Sequence, residues 1–235
     1  MNENALTERL RDIRQHYLDE MRAMWCITEG GALRSRKGKL VENMAKKLVR
    51  AAWENLGRPN RELEFRKGKH DIPLNKEYLD RISPADLLNS IREDRAQYVY
   101  KLGCDVQCYL RGTFALAVEC KAYAEVAMLK RVLIDATLLS KKYPGIECVL
   151  LQLESQLGGD YKDAKYPPKG SPSAHTVMSH FAVDLTILTL LRGERRVKKP
   201  IHREKYFKDL TLDSLRSAVN ELEKVLKRCE SRMAK

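Results

Sequence analysis

The sequence predicts an α/β protein in which a mixed central β-sheet is flanked by helices, and three observations support this. Residues 98 to 123 alternate apolar and polar side chains with a period of two, which is typical of strands. Residues 146 to 153, IECVLLQL, are an apolar run that suits a buried central strand. Amphipathic helices are predicted where apolar residues recur every three or four positions, at 4–27, 39–56, 124–142 and 211–232.

The N-terminal part is predicted to be mostly helical. The first helix, 4–27, ends before Gly30, and the second, 39–56, ends at Gly57 and Pro59. Between them, the basic sequence RSRKGK at 34–39 predicts a loop. Residues 61–75 are mostly polar and predict another loop with a turn at Gly68. A helix then begins at the sequence SPAD, 83–86, and runs to about residue 96.

The alternating stretch predicts a β-hairpin with two half-buried strands. Arg111, Gly112 and Thr113 form a predicted three-residue loop, since glycine accepts a positive φ. Folding the chain at this loop puts Leu110 opposite Phe114, and the same count puts Asp105 opposite Glu119. The two strands are therefore expected to bring the side chains of Asp105 and Glu119 close together.

The charged residues of this hairpin are the candidate site. Two carboxylates directly opposite each other on a hairpin repel, unless a bound cation holds them. Lys121 lies two residues beyond Glu119 on the same face of the strand. Hard oxygen ligands suit Mg²⁺, and a neighbouring lysine can orient an attacking water or stabilise charge on a phosphate. The alternative is a solvated sheet surface with ordinary charges. We expect the metal site, at one edge of the sheet.

After Lys121 the pattern changes to the helix 124–142, which Pro144 and Gly145 end, and the apolar strand 146–153 follows. Strand, helix and strand in this order predict a crossover between parallel strands. Residues 158–173 predict a loop, 173–183 a short helix and 184–191 a further strand.

The chain is strongly basic, with a formal net charge of +12, which favours a polyanionic partner such as nucleic acid. Residues 192–208, RGERRVKKPIHREKYFK, combine many cations with Tyr206 and Phe207. A charge run can also be only a solvated face, but we expect DNA contact here. The candidate DNA-binding residues are Arg34, Arg36, Lys37, Lys39, Arg111, Lys169, Arg192, Arg195, Arg196, Lys198, Lys199, His202, Arg203 and Lys205.

The N-terminal residues resemble no signal peptide, and no apolar run reaches the length of a membrane span. The six cysteines have no zinc-ligand spacing and are expected to be reduced thiols. We therefore expect a cytoplasmic protein with neither a membrane partner nor a nucleotide cofactor.

Asp105, the hairpin, and then Glu119-Cys120-Lys121 resemble the D…(D/E)-x-K signature of the restriction-endonuclease-like nuclease superfamily. Cys104 stands where that signature often has proline. The resemblance covers residues 98–155, and the length and the basic C-terminal part are similar to a type II restriction endonuclease.

The resemblance implies a restriction-endonuclease-like core in a single nuclease domain, 1–235. Its parts would be an N-terminal helical part (about 1–96), a catalytic core (about 97–155) and a C-terminal basic part that contacts DNA (about 156–235). It implies Mg²⁺-dependent, sequence-specific hydrolysis of double-stranded DNA by a homodimer. Asp105 and Glu119 would hold the ion, with the backbone carbonyl of Cys120, and Lys121 would activate water. Glu42, on an early helix, would be a further catalytic residue, although it can equally pair with Lys46 at i+4.

Two other functions stay open. A non-catalytic DNA-binding protein of the same fold is one, although the lysine at position 121 argues against it. A structure-specific nuclease of DNA repair or RNA processing is the other. Discrete fragments from long DNA would favour a restriction enzyme over the latter.

Overall fold

The computed structural model describes residues 2–27, 30–158 and 171–234 of the protein. The helices are α1 (Glu3–Met24), α2 (Gly31–Asn55), α3 (Lys76–Leu79), α4 (Ala85–Glu93), α5 (Val126–Lys142), α6 (Pro172–Met178) and α7 (Leu212–Met233). The strands are β1 (Leu63–Arg66), β2 (His70–Pro73), β3 (Val99–Leu102), β4 (Val106–Leu110), β5 (Thr113–Glu125), β6 (Glu147–Gln156) and β7 (Leu185–Thr189). None of these helices is long and apolar enough to cross a membrane.

Five of the strands form one mixed sheet in the order β1-β4-β5-β6-β7, and β2 pairs with β3 in a small second sheet. The first three strands of the large sheet are antiparallel neighbours, whereas β5, β6 and β7 run parallel. The predicted mixed sheet and the parallel crossover through α5 are therefore confirmed.

Helices cover both faces of the large sheet. On one face, α1, α2 and α7 pack over an apolar cluster that includes the fully buried Tyr17 and Trp53. On the other face, α5 packs over a second cluster that includes Leu129, Leu133 and Leu150. The prediction of half-buried strands was wrong, because Ala115 and Ala117 of β5 are buried as well as its larger apolar residues.

The hairpin differs from its prediction in its turn but not in its register at the candidate site. Leu110 pairs with Thr113, so the turn has two residues, Arg111 and Gly112, both with positive φ. A bulge between Cys108 and Tyr109 then adds one residue on β5, and Val106 pairs with Val118. The shorter turn and the bulge compensate, so the continued register still sets Asp105 opposite Glu119.

Three local predictions were wrong. The predicted strand 98–110 is broken at residues 103–105, so that β3 leaves for the small sheet and only β4 joins the large one. The predicted loop 61–75 contains strands β1 and β2. The predicted basic loop 34–39 is helical and belongs to α2, where Leu33 and Leu40 are buried on the same side. The predicted loop 158–173 lies mostly outside the described residues.

Helix α7 is anchored to the sheet by a buried carboxylate. The side chain of Glu147, at the start of β6, is 1% exposed and forms ion pairs with Arg228 at 2.8 Å and with Arg232 at 2.6 Å. A buried carboxylate is tolerated because both cations satisfy it. This contact fixes the C-terminal helix against the strand that neighbours the candidate site.

Candidate active site

The three residues of the predicted site converge above the α5-facing surface of the sheet. Lys121 Nζ lies 2.9 Å from Glu119 Oε2 and 3.3 Å from Asp105 Oδ2. The backbone N–H of Cys120 donates to Asp105 Oδ2 at 2.7 Å, which fixes the carboxylate against β5. Asp105 directly precedes β4, and both β4 and β5 are internal strands. The expectation of a site at a sheet edge was therefore wrong: the site lies over internal strands, beside the end of β4.

Burial and neighbouring charge perturb both groups that β5 contributes. Burial, reinforced by the Asp105 charge, raises the pKa of Glu119 to about 7, although Lys121 opposes this. Burial alone would lower the pKa of Lys121, but the charges of Glu119 and Asp105 outweigh it and raise that pKa above its ordinary value. Lys121 therefore stays cationic, and Glu119 is a carboxylate that a bound cation would stabilise.

The three side chains line a cavity of about 490 Å³. One wall is the segment 100–104 of β3 and the following turn. The opposite wall is a stripe on α5 with i, i+3, i+4, i+7 spacing: Met128, Arg131, Val132 and Asp135. The cavity is open to solvent on the side between these walls, so an extended anionic polymer has access to the carboxylates.

The donor set fits a hard cation. Asp105 and Glu119 offer carboxylate oxygens, and a residue in a strand directs its N–H and its C=O to the same side, so the Cys120 carbonyl lies toward Asp105 as its N–H does. In the described residues, no group of three or more His, Cys, Asp and Glu side chains is arranged to hold a metal. Two carboxylates with one carbonyl leave positions open for water and phosphate, as is usual for Mg²⁺.

Cys120 and Glu42 lie apart from the cavity. The Cys120 side chain is 6% exposed and packs in the cluster on the opposite face of the sheet. Burial and the charges of Asp105 and Glu119 hold the pKa of its thiol well above its usual range, so it is no thiolate ligand. Glu42, on α2, is half-buried and does not line the cavity. It belongs to the helix that packs against the opposite face of the sheet, behind the site.

The two basic stretches, far apart in sequence, meet in the structure. Lys37 Nζ of α2 lies 2.8 Å from His202 Nδ1. Phe207 stacks on Tyr17 with ring centroids 5.9 Å apart, and the Tyr17 hydroxyl donates to the Lys208 carbonyl at 2.7 Å. The segment 192–208 is therefore held against α1 and α2, and the N-terminal turns of α2 extend its basic surface.

Several residues predicted to bind DNA already have partners within the chain. Arg36 pairs with Glu20 at 2.8 Å. Arg111 lies at the hairpin tip, at the far end of β4 from Asp105, and pairs with Glu62 and Glu230. His202 is 3% exposed. The guanidinium carbon of Arg195 lies 3.5 Å from the centroid of the Tyr123 ring, and Arg195 also donates to Gln156.

The remaining predicted DNA-binding residues in the described part of the chain are exposed: Arg34, Lys39, Arg192, Arg196, Lys198, Lys199, Arg203 and Lys205. Of these, Arg196 and Lys199 line a second cavity of about 370 Å³, together with Tyr206 and Lys208. Lys208 is not available there, because it pairs with the buried Glu154 at 2.8 Å. Lys169 lies outside the described residues.

Three charged residues that line the cavity were not among the candidate residues: Lys101 on β3, and Arg131 and Asp135 on α5. A signal for the last two was present. They continue the spacing of Met128 and Val132, on the flank of the apolar stripe of α5. A helix that directly follows the strand carrying Glu119 and Lys121 would turn this flank toward the site. Period-two alternation also puts Lys101 on the same side as Asp105, but the departure of β3 into the small sheet is not encoded in that pattern.

The chain is similar to a curated type II restriction enzyme. It is 42% identical over 199 residues to the type II restriction enzyme DdeI of Desulfomicrobium norvegicum, a match that covers 84% of this chain and 83% of the relative. A solved structure, the native A2B2 tetramer of BbvCI, aligns with 99% of this chain and 92% of its own, at 13% identity and a TM-score of 0.41, a likeness too weak to bear on fold or assembly. No family model matches the sequence.

The identity to DdeI extends over most of both chains, well beyond the length of the hairpin. This similarity to a type II restriction enzyme agrees with the D…(D/E)-x-K arrangement of the site, in which two carboxylates and a lysine meet in an open cavity. The chain therefore belongs to the type II restriction enzymes, which are sequence-specific endonucleases of DNA.

Proposed function

We propose that this endonuclease hydrolyses phosphodiester bonds of double-stranded DNA with a Mg²⁺ ion held by Asp105 and Glu119. The observation that supports this best is the convergence of both carboxylates with Lys121, at 2.9 and 3.3 Å, in an open cavity. Two neighbouring carboxylates, of which Glu119 is only 17% exposed in its side chain, repel each other, and one lysine compensates only one of their charges. A dication would supply the missing charge.

The residues of the site would have different roles in the reaction. Asp105 and Glu119 would hold the ion, with the Cys120 carbonyl as a further ligand. Lys121 Nζ, which donates to both carboxylates, lies where it can orient a water for attack on the phosphorus and stabilise the negative charge that develops. Mg²⁺, when bound, supplies positive charge that offsets charge on the phosphate. Glu42 would act only indirectly, through the shape of the α2–β5 contact.

The DNA would lie along the open side of the cavity and on the basic surface formed by α2 and residues 192–208. The exposed Arg196, Lys198 and Lys199 are suited to phosphates or to the guanine edge in the major groove, where arginine forks bind well. Arg36, Arg111 and His202, which are occupied within the chain, would contribute less.

We also infer a homodimer, because a symmetric DNA site presents the same bases to two symmetric copies of an enzyme. Sedimentation of the free protein and of its DNA complex measures this directly. A cytoplasmic location is supported by the six cysteines, all of them free thiols, which suit a reducing compartment.

Digestion of a sequenced genome with the purified protein and Mg²⁺ tests the proposal. Sequencing of the fragment ends is expected to return one short common sequence at a fixed distance from every cut. A smear without a shared sequence, or cutting only at junctions or in RNA, would contradict sequence-specific cleavage. Binding to the same DNA without any cutting would contradict the catalytic role of the site.

A further inference from the structure

We infer that Lys101 and Arg131, on opposite walls of the catalytic cavity, bind the DNA phosphates on either side of the one that is cut. This rests on the proposed function, and it assigns the DNA contacts that lie nearest to the reacting phosphate. Neither residue belongs to the basic stretches at 34–39 and 192–208. Both come from elements that border Asp105, Glu119 and Lys121 directly.

The two cations lie on different elements of the fold, but both line the same cavity. Lys101 belongs to β3, which leaves the large sheet before Asp105 and joins β2 in the small sheet. Arg131 lies on α5, which follows the catalytic strand β5 without a loop. The cavity floor carries the carboxylates and Lys121, so a phosphate on the floor has one cationic wall on each side.

Charge in the cavity favours this role. Its walls and floor hold three carboxylates (Asp105, Glu119, Asp135) and three cations (Lys101, Lys121, Arg131), so the formal charges cancel. Lys121 is engaged by both floor carboxylates. Once a dication joins that floor, the cavity has an excess of positive charge, and Lys101 and Arg131 are the cations left to meet a polyanion.

Arg131 is available for this contact. Its side chain is 82% exposed, and its ion pair with Asp135 is long, at 3.9 Å. Asp135 is 15% exposed in its side chain, lines the cavity and belongs to the same face of α5. An ion pair this long, with an exposed arginine, contributes little to stability, so the guanidinium can turn to a phosphate at small cost. Asp135 would then limit the range of orientations that Arg131 samples.

Lys101 is exposed, and its strand partner is Asp71 of β2. The neighbouring Tyr100 is 55% exposed at the same wall. Because side chains alternate along a strand, Lys101 and Tyr100 project to different sides, and both are reachable by DNA that crosses the cavity mouth.

The test uses Lys101→Ala and Arg131→Ala in the full-length protein, with Lys67→Ala and Lys130→Ala as matched controls that remove exposed lysines outside the cavity. The DNA is a short duplex that spans a site cut by the wild-type enzyme. Affinity is measured at several salt concentrations with Ca²⁺, a hard dication, in place of Mg²⁺, and kcat/KM is measured with Mg²⁺. Lys101→Arg and Arg131→Lys are the conservative variants.

Each alanine change in the cavity is expected to weaken binding roughly tenfold and to reduce the slope of log affinity against log salt by about one, as loss of one phosphate contact does. The controls are expected to keep the wild-type slope, and the conservative variants to restore most of it. A purely structural role would lower activity without changing the salt slope. Wild-type slopes in both alanine variants would overturn the inference, whereas a wild type that cuts no DNA would overturn the proposed function instead.

Discussion

At the scale of single residues, the site depends on Lys121 and its two acceptors. The ammonium donates to Glu119 and Asp105, and the Cys120 N–H holds Asp105 in place. This network was predictable in outline, since the spacing Glu-x-Lys sets both side chains on one face of a strand. The contact between the Cys120 amide and Asp105 was not, because it depends on where β4 begins.

Replacement of Lys121 by alanine is expected to abolish cleavage while leaving DNA binding nearly intact. The change removes the group that orients water and stabilises charge, an effect of about 10²–10³-fold or more on the rate. Cleavage of plasmid with Mg²⁺ and gel-shift binding with EDTA measure the two effects. Lys130→Ala, an exposed lysine outside the cavity, is the control and should cut as the wild type does. A Lys121→Ala enzyme that cuts within tenfold of the wild-type rate would argue against this role.

Arg195 and Arg196 are neighbours with opposite expected roles. Arg195 lies on the Tyr123 ring and bonds to Gln156, so it ties the basic segment to strands β5 and β6, whereas Arg196 is exposed. Arg195→Ala is expected to lower the free energy of unfolding by about 1–2 kcal/mol through the lost cation–π contact and hydrogen bond. Arg196→Ala is expected to leave stability unchanged and to weaken DNA binding. Urea unfolding measures the effect on stability, and DNA binding at several salt concentrations measures the effect on affinity. A destabilised Arg196→Ala protein, or an Arg195→Ala protein that loses only DNA affinity, would refute these roles.

At the scale of elements, the wall of the cavity depends on how the small β2–β3 sheet is attached. His70 of β2 is 7% exposed, stacks on Phe114 of β5 at 4.7 Å and lies 2.8 Å from the Tyr143 hydroxyl at the end of α5. Gln107 of β4 donates to the Gly68 carbonyl at 2.7 Å. These contacts hold β3, with Lys101, at the wall of the cavity that contains Asp105, Glu119 and Lys121.

His70→Ala is expected to lower the free energy of unfolding by about 2 kcal/mol, because it removes a buried aromatic ring and its contacts. Cleavage should fall as well, since the cavity wall loosens. The exposed His180→Ala is the control. Denaturant unfolding and cleavage rates of the three proteins measure both effects. A His70→Ala protein as stable as the wild type would mean that the small sheet is held by other contacts.

His70 also makes the free energy of unfolding depend on pH, in a direction that follows from its pKa. Burial, aided by Lys142, lowers the pKa of His70 below its ordinary value. Near pH 6.5, His70 in the unfolded chain binds a proton that His70 in the folded protein does not bind. The free energy of unfolding therefore decreases as the pH falls below about 6.5. The difference in unfolding free energy between wild type and His70→Ala should shrink between pH 7 and pH 5. A difference that stays constant or grows would contradict a neutral, buried His70.

How far the elements could be predicted depended on their length and packing. The helices α1, α5 and α7 and the strand β6 carry long periodic patterns and were predicted well. Strands β1 and β2 alternate as LEFR and HDIP, but four residues give only two inward-facing positions each, and one of those in β2 is a histidine. The basic residues 34–39 are helical despite Gly38, because Leu33 and Leu40 pack in the core and outweigh a propensity cost of about 1 kcal/mol.

At the scale of the whole molecule, two basic stretches that are distant in sequence meet in one surface, and a hairpin carries the acidic site. The large sheet, covered by helices on both faces, carries the acidic floor, while α2 and residues 192–208 carry exposed cations. The net charge of +12 predicted a polyanionic partner. Which cations are free and which are engaged by Glu20, Glu62 or Tyr123 depends on tertiary contacts that no local pattern encodes.

The central claim is that Asp105 and Glu119 together hold the cation on which cleavage depends. Its most direct test is Mg²⁺-dependent cleavage of plasmid by the wild type and by Asp105→Asn, which keeps the shape of the side chain and removes its charge. The wild type is expected to give discrete fragments, and Asp105→Asn to bind the same DNA but cut at least about 100-fold more slowly at every Mg²⁺ concentration. Equal cleavage by both proteins, with the same dependence on Mg²⁺, would contradict the claim.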